Sequence, residues 1–254
     1  MNFYYYQPAP IMQVVPVQYG VQQNTDNFRT SIISLVETLE HETKQNYTIT
    51  QLCTRFAFQR RRFYDVVNVL EAAGCCQKTN VDCFVWLGMD NVKTHLQNLS
   101  NEVNQQNADA NIDDIFQTSD SVTISNLTTQ FLLSFIAFNR PALDIKKISA
   151  FLSRNNNRLK TTLCKLYQIS HILEVVGIIS KSMMPGEVVL NKQFFPDIKV
   201  KASNDSLDIE SLLSRPVDNL NSRVFAERWI HFNKVQEMSL PRSPIFMAPS
   251  PISA

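Results

Sequence analysis

The chain has 254 residues, 44% of them apolar, and a formal net charge of +1. That is length for one large domain or two small ones, with ordinary core-building capacity and no overall charge that points to a partner. Only five glycines occur, which argues against a doubly wound nucleotide-binding fold, whose phosphate loops and tight turns consume glycine. No apolar run reaches the roughly 18 residues of a membrane span, so no membrane partner is expected.

The opening stretch MNFYYYQPAPIMQVVPVQYG has no Lys or Arg and carries Pro and Gln inside its apolar run, a poor match to a signal peptide. Residues 1–26 read as a disordered tail. The five cysteines, Cys53, Cys75, Cys76, Cys83 and Cys164, lack C-x-x-C spacing. They read as reduced thiols of an intracellular protein. No His or Cys stands at finger spacing, so packing within short strands is preferred over a metal site for Cys75, Cys76 and Cys83. No nucleophile–base set appears at a suggestive spacing, so no catalytic residue, cofactor or small-molecule substrate is expected.

Charge becomes informative by segment. Residues 27–100 hold 8 basic and 7 acidic side chains, and residues 101–122 hold 5 acids and no base. Residues 123–200 hold 10 basic and 4 acidic side chains, and residues 201–254 hold 6 of each. This pattern predicts two structured blocks joined by an acidic linker, then a C-terminal region ending in a Pro/Ser-rich tail with Ser243-Pro244 and Ser250-Pro251.

In the first block, Phe28, Ile32, Leu35, Val36 and Leu39 form a helical stripe. Asn46 to Thr50 reads as a short extended segment, with Thr50 as N-cap of a brief helix carrying Leu52, Cys53 and Phe56 inward. QRRRFYDVVNVLEAAG, Gln59 to Gly74, follows as a helix that Gly74 ends. Its inward stripe is Phe63, Val66, Val67, Leu70 and Ala73, and Arg61, Asp65, Asn68 and Ala72 fall opposite. Cys75–Asn80 and Cys83–Leu87 read as a hairpin. Val92, Leu96, Leu99 and Val103 mark a further amphipathic helix, too short for a coiled coil and expected to pack on its own domain. The order helix, strand, helix, helix, strand, strand is a winged helix.

The second block repeats the plan. KLYQISHILEVVGIIS (Lys165–Ser180) aligns without a gap on RFYDVVNVLEAAGCCQ (Arg62–Gln77). Tyr64 and Tyr167, Leu70 and Leu173, Glu71 and Glu174, and Gly74 and Gly177 are identical. Upstream, Leu127–Phe138 and Ile145–Leu152 supply two helices. Downstream, Ile178–Met183 and Glu187–Asn191 supply a hairpin turning at Pro185-Gly186. An internal repeat of this kind points to two like domains.

Three arginines on the first turn of a helix oppose the helix dipole, whose N-terminal end is positive. A partner outside the helix resolves the conflict. In a helix-turn-helix the N-terminal part of the second helix enters the DNA major groove, where an Arg fork meets guanine O6 and N7 together. Asp65, four residues after Arg61 and three after Arg62, is placed to orient either guanidinium.

Arg61-Arg62-Phe63-Tyr64-Asp65, followed by Asn68-Val69-Leu70-Glu71 and Gly74, resembles the R-R-x-Y-D…N-V-L-E…G recognition helix of the E-two-F/DP transcription factors. Cys83-Phe84-Val85-Trp86-Leu87-Gly88 resembles the last wing strand of that family. A second such domain is similar to the atypical members, which carry two DNA-binding domains in tandem and need no DP partner. The resemblance implies that Arg61 and Arg62 read guanines in a G/C-rich element of cell-cycle promoters, with Tyr64 and Asp65 supporting. Arg60 and Asn68 complete the candidate set in the first domain.

The second domain departs from the motif, with Cys164-Lys165-Leu166-Tyr167-Gln168 in place of R-R-x-Y-D. Direct guanine reading is therefore not expected there. Its basic excess suits phosphate contact, which is independent of sequence, with Arg154, Arg158, Lys160 and Lys165 as candidates.

The expected fold is mainly α with small β-hairpin wings, as two tandem winged-helix domains at 27–100 and 123–200. The expected function is nuclear, sequence-specific binding of double-stranded DNA in transcription regulation. Another winged-helix chain, or a second copy of this one as a dimer, is the further partner considered. The alternative reading is a winged-helix protein-interaction module in a larger assembly.

Overall fold

The computed structural model describes residues 22–42, 46–106, 112–116, 122–155, 157–198 and 217–239. Residues 1–21, residues 107–111 and 117–121 of the acidic linker, and the tail with Ser243 and Ser250 lie outside the described residues, whereas the rest of the linker is helical or packed on helices.

The first block runs α1 (Gln22–His41), β1 (Asn46–Thr48), α2 (Ile49–Arg55), α3 (Arg60–Ala72), β2 (Cys76–Asn80) and β3 (Cys83–Trp86). β3 lies between β1 and β2, antiparallel to both. Opposite each other in the register, Tyr47 and Phe84 stack with ring centroids 5.8 Å apart and fix the sheet on the core. The capping residue of α2 is Thr48, not Thr50 as expected. The Thr50 hydroxyl is used otherwise, donating to the Asp82 carboxylate at 2.9 Å and so tying α2 to the hairpin turn.

Then follow α4 (Asn91–Asn101), running into a π-helical turn at Glu102–Gln106, and α5 (Ile112–Ile115). The second block runs α6 (Ile124–Ala137), β4 (Ala142–Asp144), α7 (Ile145–Leu152), α8 (Leu159–Val175), β5 (Ile179–Lys181) and β6 (Glu187–Leu190). Its sheet has the order β4-β6-β5, the counterpart of β1-β3-β2. α9 (Val217–Ser239) completes the described chain. The molecule is thus mainly helical with two small antiparallel sheets.

The correspondence between blocks extends to single hydrogen bonds. Gly74 N–H reaches Glu71 O and Cys75 N–H reaches Leu70 O. Gly177 N–H reaches Glu174 O and Ile178 N–H reaches Leu173 O. Both glycines sit at positive φ, +86° and +78°, the conformation that closes a helix C-terminus without a Cβ penalty. Asn91 Nδ2 donates to Gly74 O at 2.7 Å, and Asn191 Nδ2 donates to Gly177 O at 2.5 Å. Ile49 N–H meets Asp82 O at 2.8 Å, and Ile145 N–H meets Gly186 O at 2.9 Å.

The blocks pack on each other through equivalent elements. α3 packs on α6 and α8, α1 packs on α8, and α4 packs on α6. α4 therefore serves both blocks, where the sequence pointed only to its own. Its loyalty to the first block shows in His95, whose Nε2 lies 3.2 Å from Ala72 O. Gln97 exchanges two hydrogen bonds with the Asp197 backbone, at 3.0 and 2.9 Å. Residues 97 and 197 are as far apart in sequence as the paired caps Asn91 and Asn191. Asp65 and Gln168, also repeat counterparts, bond each other. A residue that touches its own counterpart lies on a local two-fold axis.

α9 docks on α7 and extends the core. Phe232 sits 4.8 Å from Phe138 and 5.3 Å from Phe151 between ring centroids, and Phe116 beyond α5 stacks on Phe138 at 5.8 Å. Burying each of these rings contributes roughly 1.5–3 kcal/mol. Arg228 goes in with them, 5% exposed. Its Nη1 donates to Asn104 Oδ1 at 2.7 Å, and among the described residues its Nε and Nη2 have no partner. Burial pulls the guanidinium pKa down to about 10.

Candidate nucleic-acid interface

α3 begins at Arg60 after Gln59, whose extended backbone (φ −67°, ψ 127°) caps it without a side-chain bond. Phe63, Val66, Val67, Leu70 and Ala73 are buried, at most 1% exposed, as the stripe predicts. Val69 and Ala72 are buried as well. At about 100° per residue, both lie on the flank shared with Asp65 and Arg62. The helices packed on α3 from the second block are α6 and α8, and the Asp65 bond to Gln168 places α8 on this flank. Ala72, placed opposite the inward stripe by spacing, is thus covered rather than outward-facing. Arg62, on the first turn of that flank, stays exposed, and the rest of the open surface is the other flank: Arg60, Arg61, Tyr64, Asn68 and Glu71, next to the β2–β3 hairpin.

On that face Arg60 is folded back. Its Nη2 lies 3.2 Å from Asp82 Oδ1 and 3.4 Å from the Tyr64 hydroxyl, and its guanidinium stands 5.8 Å from the Tyr64 ring centroid. The bond to Tyr64, and then the charge of Asp82, raise its already high pKa. Tyr64 in turn donates to Val81 O at 3.4 Å. Arg60 and Tyr64 therefore anchor the hairpin turn to the start of α3. Lys78 bridges Glu71 at 2.9 Å and Asn68, so Asn68 is held by the wing. The same brace recurs in the second block as Lys181–Glu174 at 3.1 Å.

Arg61 and Arg62 remain. Both are exposed, and among the described residues neither guanidinium has a partner. Asp65, expected to orient one of them, instead accepts a 2.7 Å bond from Gln168 Nε2. The half-buried carboxylate has been drawn to an amide across the interface. The helix dipole and two unneutralised cations thus share one helix end, an arrangement that favours an external anion.

The second set is more changed. The Arg154 side chain is 8% exposed and engaged with Asp113 at 2.5 Å, with Phe151 O, and with the Phe151 ring 4.3 Å away. It fastens α5 to α7 with its charge neutralised, so, contrary to the expectation from sequence, it is not placed to contact phosphate. Lys165, at the position of Arg62, is half-buried and donates to Val122 O at the start of α6. It too is spent within the molecule. Arg158 and Lys160, at the start of α8, are exposed. His171, at the position of Asn68, stacks on Phe28 of the first block, centroids 6.3 Å apart. Gln168, His171 and Arg228 were not legible as interface residues. The stripe Phe225, Arg228, Trp229 and Phe232, at i, i+3, i+4 and i+7, was the available signal for α9.

A three-helix unit with a three-stranded wing, presenting unpaired arginines on the third helix, defines a winged-helix nucleic-acid-binding class. Residues 29–88 match the family model of the E-two-F/DP winged-helix DNA-binding domain. Residues 29–88 are thus similar to the DNA-binding domain of a family of transcription factors, which is not a family of enzymes. No curated protein matches the chain.

Among the described residues no three His, Cys, Asp or Glu side chains are grouped to hold a metal ion. No helix among them is long and apolar enough to cross a membrane. All five cysteines are free thiols. Burial raises the thiol pKa of Cys75 to about 12, which makes it a packing residue.

Proposed function

We propose that the chain is a sequence-specific transcription regulator in which two tandem winged-helix units, at 27–100 and 123–200, engage one DNA duplex. The observation that carries this reading is the pair Arg61 and Arg62, exposed and without a partner among the described residues, at the N-terminus of α3 in a domain that matches a DNA-binding family. Arg61 and Arg62 read guanine edges of a G/C-rich site, because a bidentate fork fits O6 and N7. Arg60 and Tyr64 hold the wing against the reading helix, and Asn68 lies on the same face.

Three features support a second unit of the same kind: the matched sheet order, the matched helix-closing bonds, and the local two-fold relation. With Cys164 where the first unit has Arg61, the second unit does not read guanine in the same way. Arg158 and Lys160 supply phosphate contact there. The surfaces of α1, α3, α6 and α8 pack on each other within one chain, so one chain suffices for one site. A DNA-regulating role places the protein in the nucleus, at promoters of cell-cycle type by the family resemblance.

Selection from a random duplex pool by the full chain tests the proposal. The expected result is enrichment of a G/C-rich core, one chain per duplex, and affinity that falls steeply with salt. A pool without enrichment, bound with little salt dependence, would contradict it and favour a protein-interaction module.

A further inference from the structure

We propose that Met183 and Met184, at the tip of the β5–β6 hairpin, wedge into the minor groove of the bound duplex and partly unstack one base step. The inference rests on the second unit engaging DNA as proposed above.

Met183 is 102% exposed and Met184 is 65% exposed. Two adjacent exposed methionines at a hairpin tip forgo burial that polar residues would not miss. The tip is also stiff. Ser182 N–H donates to Glu187 O and Glu187 N–H to Met184 O, each at 3.1 Å. The Ser182 hydroxyl donates to Glu187 Oε2 at 2.6 Å and accepts from Met184 N–H at 3.3 Å. Pro185 restricts the turn further. A braced tip can transmit force to a partner rather than yield to it.

Its position follows from the repeat. Gly186 O accepts from Ile145 N–H as Asp82 O accepts from Ile49 N–H. In the first unit the corresponding tip touches the opening turn of α3, through Asp82 to Arg60 at 3.2 Å and Val81 O to Tyr64 at 3.4 Å. By the repeat, the methionine tip is the counterpart of the tip that meets the opening turn of α3, which assigns it to the side of α8 where its N-terminal end begins. Tyr167, the counterpart of Tyr64, is 42% exposed on the same face.

The chemistry selects the partner. Ser182 to Gly186 carries no charge, and the Glu187 carboxylate is occupied by Ser182. Such a tip gains nothing from phosphates. It does gain by replacing base–base stacking with contacts to a soft thioether, the use made of apolar wedges in minor grooves. A convex pair of side chains falls far short of the roughly 1,000 Å² that a specific protein interface needs. The first hairpin has Asn80-Val81-Asp82 at its tip, where the one apolar side chain, Val81 at 83% exposed, is short and β-branched and its backbone is tied to Tyr64, with the acid committed to Thr50 and Arg60. Distortion is therefore expected on one side of the site only.

The test uses the full chain and a duplex selected by it, with fluorophores at both ends to report bending and 2-aminopurine placed at successive flanking steps. The wild type is expected to shorten the end-to-end distance and to raise 2-aminopurine fluorescence at one step beside the second unit. Met183→Ser with Met184→Ser should abolish both signals and weaken binding about tenfold. The salt slope should not change, since no phosphate contact is lost. Both positions are exposed, so the variant folds. Arg158→Ala with Lys160→Ala is the companion variant. If it lowers the salt slope while the methionine variant bends and unstacks DNA like the wild type, the wedge is overturned and the second unit still meets DNA. If neither variant changes binding, DNA engagement by the second unit falls, and the wedge with it.

Discussion

Asp65 Oδ2 accepts a 2.7 Å hydrogen bond from Gln168 Nε2, and the two residues are counterparts 103 positions apart. The acid at the end of the R-R-x-Y-D motif is thereby used to join the two blocks. Gln168→Ala leaves a half-buried carboxylate without this donor and should destabilise the chain by about 1–3 kcal/mol. Gln168→Glu should cost more, because two carboxylates then face each other across the same gap. Denaturant unfolding of the full chain measures both. Unchanged midpoints would mean the bond is not held in solution.

Leu70 and Leu173 are 1% and 0% exposed at equivalent places in α3 and α8. Replacing either by Ala should cost about 2–5 kcal/mol, as lost transfer energy plus a cavity. Thermal unfolding that scarcely moves for either variant would contradict the described packing.

Gly74 and Gly177 have the same role and different surroundings. A Cβ on Gly74 would lie 2.5 Å from His95 Cβ, whereas one on Gly177 meets nothing within 4 Å. Gly177→Ala should therefore cost only the left-handed backbone strain, roughly 1–2 kcal/mol. Gly74→Ala should cost clearly more, because α4 must shift. Equal losses, measured by the same unfolding assay, would show that α4 does not press on the helix end.

Burial pulls the imidazole pKa of His95 below its ordinary value, despite the bond to Ala72 O, and burial does the same for His171. Between about 6.5 and the lowered folded values, the unfolded chain binds more protons. The stability these neutral rings permit is complete above about pH 6.5 and is lost as pH falls below it. A His95→Gln, His171→Gln variant should lose less melting temperature than the wild type between pH 7.5 and 5.5, values chosen to bracket the unperturbed histidine pKa of about 6.5. Parallel losses would mean that neither ring is buried as described.

Much of this architecture was written in local periodicity. The 3.6-residue stripe located α3, and the gapless repeat at 103 residues located α8 and anticipated the paired helix-closing bonds. The wing strands fell within two residues of their expected ends. What local pattern did not carry was the partner of each polar group. Asp65 was as well spaced for Arg61 as for any partner within α3, and only the approach of α8 decided for Gln168. Arg154 counted as a surface charge until α5 brought Asp113 to it. Lys165 looked like a substitute for Arg62, yet the start of α6 supplies a carbonyl nearer than any solvent-side anion. The aromatic stripe of α9 was legible by spacing, but its target, the cluster of Phe116, Phe138 and Phe151, is assembled from three separate segments. Arg61 and Arg62 are exposed at the helix start, and neither has a partner among the described residues.

Selection of bases by these two arginines is tested most directly by the affinity of the full chain for its selected duplex, divided by its affinity for a scrambled duplex of the same composition, in wild type and in Arg61→Ala. Loss of one bidentate guanine contact should lower that ratio by the equivalent of about 1–3 kcal/mol, with little change on scrambled DNA. Equal loss on both duplexes would contradict base selection, since it would make Arg61 a phosphate contact and leave the choice of bases to some other part of the chain.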